Sequence, residues 1–534
     1  MAKFFKKSTL RFIQNHWGKE DEQQDVSYRD LEDFFVRMMK KDDWILDDLT
    51  WNDLDMNRVY TKMNRTFSMP GQQCLYNMLR ILQFDEEELK RRNRMIEYFQ
   101  HNKEQREKLQ CLFYFLGKED YDGAASLLFK GTPELPPVRG WVIPSTLGMI
   151  ASIISIPFLG ARAIVLVAVF FIMNMVIHNK INKYTEASMP GIRYLAKMLV
   201  VAREISNLNL PELDSGYNPF FAKIVDKCKI LLKKNRSIGT VSTDPLGLGE
   251  YVKIAFLTEA RAYLRSCVYI EEFAPALRTL YRRIGELDAF QSIASVRRGM
   301  RYCTRPKFVE QKNYLSAIQL GHPMLKGAVC NDITIDGKNI VLTGSNMSGK
   351  STFLRTIGLN MILAQTFYMA MAKEYHTSFF NIMTSISPSD DMMEGRSYYM
   401  AEAEALLRMV HMVDDERCSV LLIDEIFRGT NPTERVAAAS SLLTYFSERN
   451  CMVVVATHDI EITENVKDQY DSYHFEEKVS KEALEFDYLL KPGVLKKPNG
   501  IRILEYIGYP DEITQRALEA VHFDEDGDEK DENL

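Results

Sequence analysis

The string Gly344-Ser-Asn-Met-Ser-Gly349-Lys350-Ser351 constrains the fold of this chain more than any other short stretch. It fits the pattern G-x-x-x-x-G-K-[ST], and its surroundings have the right local character. "NIVLTG" before it is a short apolar run typical of a buried parallel strand, and "STFLRTIGLNMILAQT" after it is helix-like. In a strand–loop–helix unit the glycines let backbone N–H groups turn inward around phosphate oxygens. The positive end of the following helix points at the same place. The spacing therefore predicts an ATP cradle made of Gly344, Ser345, Asn346, Met347, Ser348, Gly349, Lys350, Ser351 and Thr352. Lys350 is the residue able to reach the β- and γ-phosphates, and the Ser351 hydroxyl is the one able to ligate Mg²⁺.

Two further strand-like runs end in polar residues. "SVLLIDEIFRGTNP" places Asp424 and Glu425 at a strand end. Asp424 is expected to hold Mg²⁺, directly or through water, and Glu425 to polarise the attacking water as a general base. "VVVATHD" ends at His458, a candidate γ-phosphate sensor or water-positioning group, because ligands of α/β sheets gather at the carboxyl ends of strands. The plainer alternatives are surface charge for the two acids and a structural role for the histidine. Between these runs lies "DDMMEGRSYYMAEAEALLRMV", where Ser397 caps an amphipathic helix with Glu402 and Glu404 along its first turns. In an ATPase whose sites form between two copies, a serine so placed can bind the other subunit's γ-phosphate.

The rest of the chain is of a different kind. From about Tyr28 to Phe129 apolar residues recur at three- and four-residue spacing, as in "DEEELKRRNRMIEYFQHNKEQREKLQCLFYFL". The Pro-rich linker "KGTPELPPVRG" leads into "GWVIPSTLGMIASIISIPFLGA", Gly140 to Ala161, which contains no Asp, Glu, Lys or Arg. After Arg162 the stretch from Ala163 to Asn179 is equally free of them. One helix over this length would be nearly 60 Å long at about 1.5 Å per residue, about twice the hydrocarbon thickness of a bilayer. Two spans fit better, about 141–159 and 163–177, with Gly160, Ala161 and Arg162 at the turn. Lys130 and Arg139 before the pair and Lys180 and Lys183 after it place both ends in the cytosol. The alternative is a helical hairpin buried inside a soluble domain. Helical patterning returns from Tyr194 to about Met300, and the α/β rhythm begins near residue 305. The expected organisation is a helical region (1–130), a linker and transmembrane hairpin (131–185), a second helical region (186–304), an α/β ATPase domain (305–522) and an acidic disordered tail (523–534). The fold class is thus α plus α/β.

Composition limits the functions open to the chain. Apolar residues make up 46% and charged residues 26%, as in a folding sequence. A net charge of −6 gives no global signature of a nucleic-acid binder. The 8 cysteines are scattered with no C-x-x-C pair, which argues against a zinc site or a disulfide framework and suits a reducing cytosol. The basic N-terminus "MAKFFKKSTLRF" lacks the continuous apolar core of a signal peptide.

Taken in order, four strings resemble the MutS family, the ABC-type ATPases of DNA mismatch repair. "TGSNMSGKST" is similar to that family's phosphate loop, "EGRSYYMAEA" to its signature segment, "LLIDEIFRGT" to its acidic strand end and "ATHDIEIT" to its histidine segment. More weakly, "LDDLTWNDLDM" and "NRTFSMPGQQCLYNMLR" resemble the start of its helical core, and "GELDAFQSIAS" its lever helix. Ser345 and Ser348 replace the usual Pro and Gly of the loop, and Phe427 stands where the family has Gly. No string resembles the Phe-x-Glu element that reads mismatches, so a truncated, membrane-anchored member is expected, and mismatch recognition is not carried over. The resemblance implies a homodimer with ATP and Mg²⁺ sandwiched between Lys350, Ser351, Asp424, Glu425 and His458 of one chain and Ser397 of the other. It also implies DNA as a partner, while the apolar pair implies a lipid bilayer. The competing readings are a nucleotide-switched membrane scaffold without DNA and a transporter-type ABC ATPase.

Overall fold

The computed structural model describes residues 6–20, 26–118, 123–131, 135–208, 210, 217–227, 248–345, 347–386, 398–413, 417–479, 484–495 and 500–519. Asn346, Ser397 and the acidic tail, all singled out above, lie outside the described residues. The chain divides into two compact units that interleave along the sequence. The first comprises Met1–Lys41, Met63–Asn77 and Arg94–Arg298; the second comprises Asp42–Lys62, Met78–Asn93 and Gly299–Leu534.

The first unit is helical. Its principal elements are α1 (Arg139–Ile154), α2 (Ala161–Asn207) and α3 (Thr258–Gly299). Helix α1 is followed by a short helical turn, Ile156–Leu159, and by Gly160 at φ +54°, where the chain reverses into α2. Helix α1 packs against α2. Phe170 of α2 lies over Gly148 of α1, where a Cβ would stand 2.2 Å from the ring. Buried Ser145 hydrogen-bonds Asn174 across the pair, and Asn174 Nδ2 donates to the Ala255 carbonyl at 2.6 Å. The other faces of the two helices carry exposed Trp141, Ile143, Leu147, Ile164, Val169 and Ile172. Helix α2 does not stop near Ile177, where the charge-free stretch ends. It continues to Asn207 through Pro190, because apolar residues on one face keep helical spacing beyond Lys180 and bury Ile181, Met189, Leu195, Met198 and Ala202. Helix α3 buries Asp288, whose carboxylate accepts from the backbone N–H groups of Phe67 and Ser68 at 3.1 and 2.8 Å and from the Ser68 hydroxyl. Burial pushes that carboxyl upward, and these donors oppose the shift.

The second unit is α/β. Its main sheet contains β1 (Asn339–Thr343), β2 (Asn381–Ser385), β3 (Ser419–Asp424), β4 (Cys451–Ala456), β5 (Tyr470–His474) and β6 (Lys491–Pro492). The order is β6-β5-β1-β4-β3-β2, with every neighbour parallel except the β6–β5 pair. Every residue of β1, β3 and β4 is buried, which is why these segments read as unbroken apolar runs and not as alternation. Helix α4 (Lys350–Phe367) packs on the sheet, and α5 (Tyr398–Met412) and α6 (Pro432–Ser447) follow β2 and β3 along the chain. Asn431 caps α6 by accepting from the Glu434 N–H at 2.9 Å, and Pro432 occupies the first turn. A second, four-stranded sheet runs Lys307–Phe308, Glu374–Thr377, Tyr314–Leu320, Asn331–Asp336 in spatial order. The early segment Asp42–Lys62 belongs here because its apolar residues pack here. Leu54, for example, lies against Gly358 of α4.

Candidate functional site

The three central strands bring their carboxyl ends together. Leu342 pairs with Ala456, and Ala456 with Asp424, so β1, β4 and β3 finish level with one another. The loop from Gly344 to Gly349 leaves β1 and enters α4. Gly344 (φ +146°) and Gly349 (φ +110°) take backbone conformations that side chains disfavour, and a Cβ on Gly344 would stand 2.8 Å from the Phe475 carbonyl oxygen. Beside this loop lies a cavity of about 570 Å³ lined by Ser345, Met347, Gly349, Lys350, Ser351 and Thr352 on one side and Asp424, Glu425 and Arg428 on the other.

Lys350 is 5% exposed and donates from Nζ to the Gly344 and Ser345 carbonyls at 2.6 and 2.8 Å. Burial pulls its ammonium downward, opposed by the negative charges of Asp424, Glu425 and Glu477. Asp424 is pushed upward by burial, opposed by a hydrogen bond with the Ser351 side chain and by the charges of Arg428 and Lys350. The Ser348 hydroxyl is buried and has no hydrogen-bond partner among the described residues. The Ser351 hydroxyl and Asp424 carboxylate supply hard oxygen donors side by side. Such a pair suits Mg²⁺, which keeps several waters and shares substrate phosphates and does not need an all-protein cage. No group of three or more His, Cys, Asp or Glu among the described residues gathers to hold a metal alone.

Glu425 has two partners. Its carboxylate pairs with the Arg428 guanidinium, and Oε1 lies 3.5 Å from His458 Nδ1. Burial raises its acidity constant's pKa, but the hydrogen bond with His458 and the charge of Arg428 outweigh burial and hold the carboxyl below its ordinary range. The same contact raises the His458 imidazole, against burial, while Asp459 adds to the rise. His458 is half exposed and reaches the cavity's edge only through Glu425. The structure therefore gathers Gly344, Ser345, Met347, Ser348, Gly349, Lys350, Ser351, Thr352, Asp424, Glu425 and, one contact away, His458.

Several contributors carried no sequence signal of their own. Arg428 lies within a quoted string, yet its ion pair with Glu425 depends on a loop bend that only the folded backbone reveals. Glu402, a helix-start acid in the sequence, is 2% exposed and accepts from the Arg428 N–H at 3.0 Å, fixing that bend. Arg435 forms two 2.9 Å contacts with Asp459, beside His458. Glu425 and Phe427 both take left-handed backbone, at φ +61° and +58°. A non-glycine residue in this conformation costs on the order of 1 kcal/mol. The Tyr399 ring stands 6.0 Å from that of Phe427.

Residues 340–523 match the family model for MutS domain V, which takes in β1, the loop, Asp424, Glu425 and His458. Curated relatives extend the likeness. A protein named DNA mismatch repair protein MutS from Thermus thermophilus is 30% identical over 347 residues, 61% of this chain and 42% of its own length. One of the same name from Bacillus velezensis is 28% identical over 371 residues, 64% of this chain and 42% of its own, and one from Petrotoga mobilis is 30% identical over 277 residues, 49% and 33%. Residues 340–523 thus carry the sequence pattern of MutS domain V, and the likeness to MutS proteins extends over about three fifths of the chain. The chain spans about two fifths of the length of the MutS proteins it matches best among these. The matched residues 340–523 include every site residue described above, so the likeness and the geometry concern the same part of the chain.

Proposed function

We propose that this MutS-like chain binds and hydrolyses ATP with Mg²⁺ at the cavity beside Lys350, and that nucleotide state controls a homodimer formed through the α/β unit. The supporting observation is the convergence of a buried lysine, a serine–aspartate pair and a histidine-linked glutamate on one cavity at the ends of three parallel strands. Lys350 exchanges its loop carbonyls for the β- and γ-phosphate oxygens, and backbone N–H groups at the α4 N-terminus meet the same charge. Ser351 and Asp424 would hold Mg²⁺, which neutralises charge developing on the phosphates. Glu425 orients the attacking water. Its depressed pKa makes it a weak proton acceptor, so it acts first by position and accepts the proton late. His458 holds the Glu425 carboxylate in place, and Ser397 of the second copy completes the γ-phosphate site.

DNA is proposed as a partner from the names of the relatives. The bilayer is proposed from α1 and α2. Among the described residues α2 is the helix long and apolar enough to cross a membrane, and α1 with its following turn, Arg139 to Leu159, gives about 30 Å of helix at about 1.5 Å per residue. The exposed apolar faces of both would meet lipid, with Lys130, Arg139, Lys180 and Lys183 on the cytosolic side together with the ATPase unit. The same faces favour a second reading, a nucleotide-switched membrane scaffold that does not bind DNA. A transporter is disfavoured, since one hairpin encloses no substrate path.

The test is ATP turnover by the detergent-purified chain with mismatched, branched and perfectly paired duplexes at several salt concentrations. Lys350→Ala should lose ATP binding, and Glu425→Gln should bind ATP but turn it over poorly. Normal hydrolysis by Lys350→Ala would discard the site. Turnover that no duplex stimulates, without salt-sensitive DNA binding, would favour the scaffold.

A further inference from the structure

The two apolar helices of the helical unit are not apolar throughout. Ser145 and Thr146 of α1 and Asn174 of α2 are polar and buried, and they meet at one level of the pair. Ser145 Oγ donates to Asn174 Oδ1 and so turns the amide, leaving Asn174 Nδ2 to donate to the Ala255 carbonyl at 2.6 Å. Thr146 Oγ1, which donates to the Val142 carbonyl at 2.7 Å, lies 3.5 Å from the Phe256 carbonyl. Ala255 and Phe256 end the helix Leu248–Phe256, which packs against both α1 and α2. Their carbonyls are among those a helix leaves unbonded at its C-terminus. Beyond them the chain turns at buried Leu257, φ +47°, and enters α3 at Thr258.

These contacts fix the depth of the corner against the hairpin. Asn174 precedes Lys180 by six residues, about 9 Å of helix at about 1.5 Å per residue. With Lys180 among lipid headgroups, Asn174 and the Ala255 carbonyl lie at the boundary between headgroups and acyl chains. A backbone carbonyl at that depth needs a partner from the protein, because acyl chains offer none. The polar side chains that interrupt the charge-free stretches supply that partner, and a hairpin packed only on itself would have no use for them.

The outer side of the same short helix has matching chemistry. Tyr251 and Val252 are 61% and 52% exposed. A tyrosine suits a bilayer interface, where its ring meets acyl chains and its hydroxyl stays wet. Lys253 pairs with Glu250 at 2.7 Å and with Glu259 of α3 at 3.1 Å. These charges flank the corner on both sides and limit how deep it can sit. An apolar face entering about 5–10 Å, with charged neighbours held among the headgroups, is the arrangement of a helix that lies in the interface and does not span. Resting on the reading of α1 and α2 as a bilayer hairpin, we propose that the segment Leu248–Thr258 is a third membrane-contacting element, seated in the cytosolic headgroup layer with Tyr251 and Val252 on lipid and its corner clasped by Asn174. The long helix α3 then starts at the bilayer surface.

The experiment uses the full chain in vesicles of phosphatidylcholine and phosphatidylglycerol, with phosphatidylcholine brominated either near the headgroup end of its chains or near their tips. Trp141→Phe removes the tryptophan on the hairpin, and a new tryptophan is then placed at exposed Tyr251 or at exposed Val169, midway along the charge-free part of α2. The emission added by Tyr251→Trp should be lost mainly to the shallow bromines, and that added by Val169→Trp mainly to the deep ones. Asn174→Leu should draw the Tyr251→Trp emission out of reach of the shallow bromines. It should also speed hydrogen exchange at the Leu257 amide, which donates to the Ile254 carbonyl, about tenfold, the effect of one lost hydrogen bond. Val169→Trp quenching in the same variant checks that the hairpin is still inserted. Quenching of Val169→Trp but not of Tyr251→Trp would overturn this proposal and leave the hairpin in place. Quenching of neither would remove the bilayer reading and the proposal with it. Exchange and quenching both unchanged in Asn174→Leu would overturn the clasp.

Discussion

Removing the Asp53 carboxylate tests how the cavity beside Lys350 is held open. Asp53 ends the short helix Asp48–Asp53 and is 3% exposed. One of its oxygens, Oδ2, accepts from Thr384 Oγ1 at 2.7 Å and from the Ile386 N–H at 2.9 Å, and Ile386 lines the cavity. The Asp53 carbonyl accepts from Arg355 Nε at 2.8 Å, and Arg355 lines the cavity as well. Asp53→Ala leaves two buried donors unpaired at about 1–3 kcal/mol each, so a loss of about 3 kcal/mol is expected. Asp53→Asn places a carbonyl oxygen where Oδ2 stood, keeps these two bonds and loses the charge, about 1 kcal/mol. The direct assay is hydrogen exchange at the Ile386 amide in the full chain. Asp53→Ala should speed it about a hundredfold, from the tenfold per 1.4 kcal/mol relation, and Asp53→Asn less than tenfold. ATP affinity should fall in the alanine variant and nearly hold in the asparagine variant. Unchanged exchange in Asp53→Ala, or equal damage from both substitutions, would refute the clamp.

Three other outcomes follow from the same structure. Burial, then the charges of Arg355, Lys62 and Arg58, lower His322 to about 4 from 6.5. A folded pKa below the unfolded one makes the neutral ring the stable form, so this contribution is complete above pH 6.5 and drains away as pH falls toward 4, by about 3 kcal/mol at most. His322→Asn should flatten that acid loss in urea unfolding, and an identical slope in both proteins would count against it. Arg428→Ala removes a charge that holds the Glu425 pKa down, so the acid limb of the ATPase pH–rate profile should move to higher pH; a limb that stays put would separate Glu425 from the chemistry. Val169→Lys puts a charge on the exposed face of α2, which costs about 2.5–3.5 kcal/mol at the centre of a bilayer, and should shift the protein from membranes toward the soluble fraction. If the unaltered protein already fractionates as soluble, the lipid reading fails.

The parallel strands were legible because a strand buried on both faces must be apolar throughout, and "NIVLT", "SVLLID" and "CMVVVA" are nearly so. The loop and strand ends that line the cavity beside Lys350 were legible because their glycines, lysine and acids sit within short strings. What escaped were contacts that join distant segments. Asp53 and Thr384 are 331 positions apart, and nothing in either string announces the other. The extent of α2 escaped for another reason. Composition changes at Lys180, but helical phase does not, and charged residues end an apolar stretch without ending a helix. Phe427 marks a third kind of limit: a left-handed residue that is not glycine leaves no trace in composition.

The charges of the site are balanced within the protein. Lys350 is held by two loop carbonyls, Asp424 by Ser351 and by nearby cations, and Glu425 by Arg428 and His458. Triphosphate binding as proposed for this cavity would therefore be an exchange of partners and not the filling of bare charges. Lys350 would give up two neutral acceptors for anionic oxygens, which adds the attraction of opposite charges to hydrogen bonds its ammonium already makes charge-assisted. Arg428 occupies one of the two Glu425 carboxylate oxygens. In the proposed function an incoming γ-phosphate would compete for that guanidinium and so free the carboxylate oxygen it holds. The same exchange would tie the position of the Arg428 loop to the nucleotide, and Glu402, which accepts from the Arg428 N–H, would carry that position into α5, the helix that Ser397 immediately precedes in sequence. Signalling from the phosphate to the proposed dimer face would thus need no movement of the sheet, only a change of partner at one arginine.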